Sequence, residues 1–264
     1  MAHKALFGDN RLILPTLATG SVQMAFTSPP YFGQRRYGDD PEHEIGWGTI
    51  DHHLDEMGAV LDELHRVTDT DATVWYVIGD KRSGSGGAGG DHAKTGATKG
   101  SKHWIPHYGK PDYSDLAIGQ AMMVPFLFAQ MAQARGWLVR SVIVWDKSPN
   151  VKPESMKHAN RPLFAHEFIF MLAKHTRHRF NPGRLVEKGD VWHIAPHRGA
   201  KAIRHYAPFP ASLPERAILA TTERGDVVLD VFAGSMTTPR VANDLGRKGI
   251  GIELYDPDHI GGEG

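Results

Sequence analysis

Two short stretches, near opposite ends of a chain of 264 residues, carry residue types that could act on a bound molecule. The first is Ser28-Pro29-Pro30-Tyr31, which follows the apolar run Val22 to Phe26, a short buried strand by its pattern. Two consecutive prolines remove two backbone donors and fix φ, so the chain leaves the strand rigid and extended with its carbonyls free to accept. A planar ligand bearing an amino group suits this place, with Ser28 and the Pro29 carbonyl as acceptors in its plane and Tyr31 against its face. The second stretch is the strand Asp226 to Phe232, a turn at Ala233-Gly234-Ser235, and a helix from Met236 to Leu245 ended by Gly246. A glycine turn lets the backbone approach a cofactor, and the first helical N–H groups face an anion. The strand Lys248 to Leu254 then carries Glu253, an acid about twenty residues on, placed to accept from ribose hydroxyls.

The elements between must bring these ends together. Lys4 to Gly8 reads as a strand running into Asp9, which either lies at the ligand-binding edge of an α/β sheet or caps the next helix. Leu54, Met57, Leu61, Leu64 and Val67 repeat at helical spacing. Thr73 to Asp80, Ser141 to Asp146 and Glu167 to Ala173 are β-branched or aromatic runs, hence strands, and Asp80 reads as a turn residue. Gly119 to Arg135 is a helix interrupted at Pro125 and closed by Gly136, and Pro214 fits the first turn of a helix running to Thr222. Residues 33–51 and 82–110 show no period. Arg82 to Gly100 alone holds seven glycines, so both stretches are expected as mobile loops, as is Lys147 to Arg161 as a loop.

With 41% hydrophobic residues the chain can bury one large core, and a single domain over 1–264 is expected. No apolar run approaches the roughly 20 residues of a membrane span, and Met1-Ala2-His3-Lys4 lacks a signal pattern, which predicts a soluble cytoplasmic protein. The absence of cysteine excludes disulfides and thiolate metal sites. No metal site is expected from the histidine pairs either: Pro196 lies between His193 and His197, and no carboxylate completes a set. Net charge is zero but unevenly spread. Met1 to Asp80 has thirteen acids against five bases, whereas Lys147 to Arg204 has twelve bases against four acids. Such a surplus could form the face a phosphate backbone needs.

Thr27-Ser28-Pro29-Pro30-Tyr31 resembles the catalytic motif of the DNA amino-methyltransferases, which methylate N4 of cytosine or N6 of adenine with S-adenosylmethionine. Asp230-Val231-Phe232-Ala233-Gly234-Ser235-Met236-Thr237-Thr238 is similar to that family's cofactor loop, and Gly249-Ile250-Gly251-Ile252-Glu253 to its ribose strand. With the catalytic motif first and the cofactor loop last, the order resembles the circularly permuted beta group. The resemblance implies a Rossmann-like three-layer α/β methyltransferase fold, with about seven mostly parallel strands and one antiparallel strand at an edge. It implies S-adenosylmethionine as cofactor, held by Asp9, Thr27, Pro208, Phe209, Asp230, Phe232, Ala233, Gly234, Ser235, Thr237, Thr238 and Glu253, with catalysis by Ser28, Pro29, Pro30 and Tyr31. It implies double-stranded DNA as partner, met by Lys174, Arg177, Arg179 and Arg184, with 147–204 including the recognition region; Arg35 and Arg36, in the charged loop after the prolines, are further candidates for DNA contact. A cognate restriction endonuclease and a homodimer are the further partners it suggests.

Serine before the prolines is more typical of the N4-cytosine enzymes in this family and aspartate of the N6-adenine ones, so cytosine N4 is the expected target and adenine N6 the alternative. Methylation at carbon 5 of cytosine uses a cysteine nucleophile, which this chain lacks. Protein-glutamine methylation usually has asparagine at the Ser28 position. Met236 departs from the family, where most members have glycine: a side chain there is tolerable if the position is helical, and weakens cofactor binding if it needs positive φ. A catalytically silent DNA-binding relic is the reading that this departure keeps open.

Overall fold

In the computed structural model, residues 3–33, 45–83, 116–117, 119–147, 161–196 and 209–256 are described. In chain order the elements are β1 (Lys4–Phe7), α1 (Asn10–Ile13), β2 (Val22–Thr27), α2 (Ile50–Val67), β3 (Thr68–Ile78), α3 (Val124–Ala134) and β4 (Leu138–Asp146). There follow β5 (His166–Ala173), β6 (Val191–His193), α4 (Ser212–Thr221), β7 (Val227–Asp230), α5 (Thr237–Asp244) and β8 (Lys248–Glu253). The strands join one sheet in the order β1-β8-β7-β2-β3-β5-β4-β6. β5 runs against both its neighbours, and every other pairing is parallel.

The fold is thus the expected Rossmann-like α/β one, with two corrections. The sheet has eight strands rather than about seven, the addition being β6, whose three residues are too short to show alternation. The antiparallel strand lies inside the sheet, not at an edge. The crossover through α3 leaves a one-strand gap between β3 and β4, and β5 fills it by turning back along β4.

Strand alternation sends side chains to two faces, each covered by helices. Ala25, Val74, Tyr76 and Phe170 pack with Met57, Leu61 and Leu64 of α2 and Phe128 of α3. Met24, Phe26, Trp75, Val77 and Ile169 pack with Leu213, Ala217 and Ile218 of α4 and Ala242 of α5. Among the described residues, no helix is long and apolar enough to cross a membrane.

Several element ends differ from the sequence pattern for local reasons. α2 begins at Ile50, where Thr49 caps it by accepting from the His52 amide, so Ile50 and Asp51 belong to a helix and not to a loop. Ile45 is buried in the core and Gly46 packs on Pro30, while residues 34–44 and 84–110 of the two expected mobile loops lie outside the described residues. Pro125 does not interrupt a helix: α3 starts at Val124, and Pro125 occupies its first turn, where no N–H is needed. Asp80 is the partner of that turn, accepting from the Met123 and Val124 amides at 3.2 and 3.1 Å. On β8, a Cβ at Gly249 would stand 2.1 Å from the Pro239 carbonyl oxygen, so the glycine lets α5 press directly onto the sheet.

Candidate active site

β2 and β7 are parallel neighbours, with Met24 opposite Val228 and Ala25 opposite Leu229, so Ser28 and the turn at Gly234 leave the same carboxyl edge side by side. The two tips are tied directly. Thr27 Oγ1 donates to Asp230 Oδ1 at 2.7 Å, and Thr238 Oγ1 to the Phe26 carbonyl at 3.3 Å. Phe209 sets its ring edge-on to Phe26 at 5.3 Å. This edge of an open α/β sheet, beyond the strand ends, is where such folds hold ligands.

On the cofactor side, the Phe232 amide donates to Asp230 Oδ1 at 3.1 Å and the Gly234 amide to Glu253 Oε2 at 2.7 Å. Burial raises the Asp230 carboxyl to about 6, despite the hydrogen bonds from Thr27 and Phe232. Burial likewise raises Glu253 to about 7, despite the Gly234 amide and with the nearby Asp230 charge adding to the rise. Ser235 and Thr237 hydroxyls pair at 3.2 Å at the start of α5. Met236 has φ 61° and ψ 32°, the left-handed region, so the glycine usual here would suit the backbone better. Its side chain turns away onto β8, where a Cβ on Gly251 would lie 2.4 Å from the sulfur.

These residues fit S-adenosylmethionine. Asp230 Oδ2 is buried without a hydrogen-bond partner among the described residues, Glu253 offers a carboxylate at the turn, and the first-turn amides of α5 suit the methionine carboxylate. Asp9, expected among the residues that hold the cofactor, caps α1 and pairs with Arg11 at 2.7 Å, the capping role its position also allowed. Pro208 lies outside the described residues.

On the catalytic side, Ser28 Oγ donates to the Val77 carbonyl at 3.2 Å, which leaves its oxygen lone pairs to accept. The Tyr31 hydroxyl donates to Glu167 Oε2 at 2.7 Å, and Glu167 is paired with Lys147 through its other oxygen. Tyr31 lies on Gly79, where a Cβ would come within 2.8 Å of its ring. Glu167, Lys147 and Gly79 were not singled out from sequence as site residues. The available signal was an acid opening an otherwise apolar strand.

Of the residues expected to meet DNA, the four that are described are not brought to Ser28. Lys174, Arg177, Arg179 and Arg184 follow the end of β5, and because β5 is reversed they emerge at the amino edge, the far end of the sheet. There Arg179 is held by both oxygens of Asp71 at 2.8 Å and by Asp226 at 3.0 Å. Arg184 pairs with Glu223 at 2.9 Å, Lys174 donates to the Thr68 carbonyl, and Arg177 lines a small cavity with Asp71 and His175. Arg35 and Arg36 lie outside the described residues.

Comparison with known proteins agrees with this geometry. A family model described as DNA methylase, for the N6 and N4 amino-methyltransferases, matches residues 22–257. The Type II methyltransferase M.XycI of Xanthomonas campestris pv. cyanopsidis is 36% identical over 275 residues, covering 96% of this chain and 83% of its own length. M.SmaI of Serratia marcescens is 31% identical over 267 residues, covering 96% of this chain and 87% of its own. Among solved structures, PvuII DNA methyltransferase (cytosine-N4-specific) superposes with a TM-score of 0.69 at 18% identity, covering 97% of this chain and 83% of that one. A Thermus thermophilus protein described as a putative DNA modification methylase, complexed with S-adenosyl-L-methionine, does so at 0.65 with 22% identity, covering 96% and 88%. The chain belongs to the DNA methylase family of S-adenosylmethionine-dependent amino-methyltransferases, and its substrate is DNA.

Proposed function

We propose that the chain methylates the exocyclic N4 of a cytosine turned out of double-stranded DNA, as the modifying partner of a restriction endonuclease. The observation that carries this is the tie between the two strand tips: the 2.7 Å bond from Thr27 to Asp230 sets Ser28 beside the cofactor turn. Serine rather than aspartate before Pro29 and Pro30 favours cytosine over adenine. The Type II names of the relatives are consistent with a restriction partner, and the fold is shared with a cytosine-N4-specific enzyme.

An exocyclic amine conjugated with its ring is a poor nucleophile because its lone pair is delocalised. Ser28 Oγ, with its own proton on the Val77 carbonyl, accepts one N–H of the amine, and the Pro29 carbonyl accepts the other. Two acceptors so placed favour a tetrahedral nitrogen, with its lone pair turned toward the crevice on the Gly234 side. S-adenosylmethionine, when bound, would supply an electrophilic sulfonium methyl there, the carbon–sulfur bond breaking as the carbon–nitrogen bond forms, with a neutral thioether as leaving group and the surplus amine proton lost to water. Glu253 would accept from the cofactor's ribose hydroxyls and the first amides of α5 would take its carboxylate, while Asp230 stiffens the turn. Tyr31 offers a ring face to the base. A stacked base cannot reach strand tips, so the nucleotide must leave the helix. The protein contributes position and fixed dipoles, with no covalent enzyme intermediate.

Plasmid methylated by the protein, digested to nucleosides and analysed by mass spectrometry, should contain N4-methylcytosine. N6-methyladenine would transfer the reading to adenine, and no modified base at all would overturn it. Ser28→Ala should lower turnover about a hundredfold, the cost of one positioned polar partner, with cofactor affinity unchanged.

A further inference from the structure

Tyr31 is held in a way that its motif does not explain. Its hydroxyl reaches across the ends of two strands to Glu167 on β5, at 2.7 Å, while its ring lies on the bare backbone of Gly79 just past β3. Glu167 is in turn gripped by Lys147, one residue beyond β4, and the Lys147 ammonium sits 4.2 Å from the centre of the Trp145 ring. The reversed strand makes this contact available. Because β5 begins at the carboxyl edge, its second residue stands level with Trp145 on β4 and close to the ends of β2 and β3. A Cβ at position 79 would also come 3.2 Å from Glu167 Cγ, so the glycine opens one seat for both side chains.

We propose that Glu167, braced by Lys147, is the positioning residue for Tyr31, fixing the ring on which the target base rests. This rests on the methyltransferase reading given above. Glu167 and Lys147 keep only 17% and 24% of their side-chain surface. A pair so far withdrawn from water roughly breaks even in stability, since desolvation offsets the attraction, so folding alone does not account for it. An aromatic ring has two torsions, and whatever freedom they keep must be given up at each encounter with a base. The hydroxyl anchor orders it beforehand, which favours turnover more than ground-state binding.

Glu167→Ala, Glu167→Gln, Tyr31→Phe and the double variant Tyr31→Phe with Glu167→Ala test this by methyl transfer to DNA under single-turnover and steady-state conditions. Glu167→Ala is expected to lower kcat about ten- to a hundredfold, with KM for DNA within about twofold, because a misplaced ring affects the oriented complex. Glu167→Gln, whose carbonyl can still accept from the Tyr31 hydroxyl, is expected to recover part of the loss. In the Tyr31→Phe background, Glu167→Ala is expected to add nothing further, whereas additive losses would show that Glu167 acts elsewhere and overturn the inference. A readout independent of turnover comes from fluorotyrosine labelling. The fluorine resonance of Tyr31, assigned by its loss in Tyr31→Phe, should move and narrow in Glu167→Ala, and an unchanged resonance would overturn the inference. If the wild-type protein methylates no base, the functional reading fails while the fluorine measurement still decides whether Glu167 holds the ring.

Discussion

Replacing Glu253 by glutamine should make the cofactor-free protein more stable in alkaline solution while weakening its hold on S-adenosylmethionine. Glu253 is 8% exposed, and burial lifts its carboxyl from 4.5 to about 7, the Gly234, Leu254 and Tyr255 amides pulling the other way. Because the folded pKa is the higher one, the native state keeps a proton that the unfolded chain has released. Stability is therefore greatest below the unfolded value and falls as pH rises through about 7. Full ionisation costs on the order of 3 kcal/mol for a gap of this size. Glutamine cannot ionise, so between about pH 5 and pH 8.5 the variant should gain roughly 2 kcal/mol relative to wild type, after the part already lost at the lower pH is subtracted. Any fixed cost of turning an amide group toward the Leu254 and Tyr255 amides cancels in that difference. Urea unfolding of both proteins without cofactor at the two pH values measures it, and parallel stabilities would refute the reasoning. On binding, ribose hydroxyls should favour the ionised carboxylate, so calorimetry near neutral pH in buffers of different ionisation enthalpy should show proton release in the wild type and not in Glu253→Gln.

Three further outcomes follow from particular contacts. Met236→Gly relieves a left-handed backbone worth about 1 kcal/mol but empties the space over Gly251, a loss of about 2–3 kcal/mol, so a net drop of about 1–2 kcal/mol is expected by denaturant titration. Arg179→Ala breaks the contacts to Asp69, Asp71 and Asp226 and should lower stability by about 1 kcal/mol, with DNA affinity and its salt dependence unchanged in a filter-binding titration. Gly79→Ala should displace the Tyr31 ring and lower turnover, with calorimetric cofactor affinity retained.

The parts of the site carried by short, local signals were legible in the sequence. Pro29 and Pro30 announce a rigid exit from β2, and Ala233-Gly234-Ser235 between an apolar strand and a helix announces a cofactor turn, because both depend on backbone chemistry that particular residue types impose. That the two tips adjoin follows from the β2–β7 pairing, which no local pattern contains. Met236 marks the limit of residue-by-residue reading. Its identity was visibly unusual, but whether the position needed positive φ depended on how α5 is pressed onto Gly249 and Gly251.

Strand direction was the largest omission, and it had two opposite consequences. An apolar run such as Phe168 to Ala173 has the same alternation whichever way it runs, since side chains repeat every two residues in either sense. Once β5 is reversed, its first residues rise to the carboxyl edge and its last descend to the amino edge. Glu167, an acid at the start of an apolar strand, thereby joins Tyr31, while Lys174, Arg179 and Arg184 are carried to the far end and taken up by the Thr68 carbonyl, Asp71 and Glu223. Among the described residues, the sheet brings Lys81, Arg82 and Lys147 to the catalytic edge, just beyond β3 and β4; the first two lie outside the basic stretch, and Lys147 is only its first residue. A surplus of bases in a segment therefore carries little information about phosphate contact until the direction of the strand before it is known.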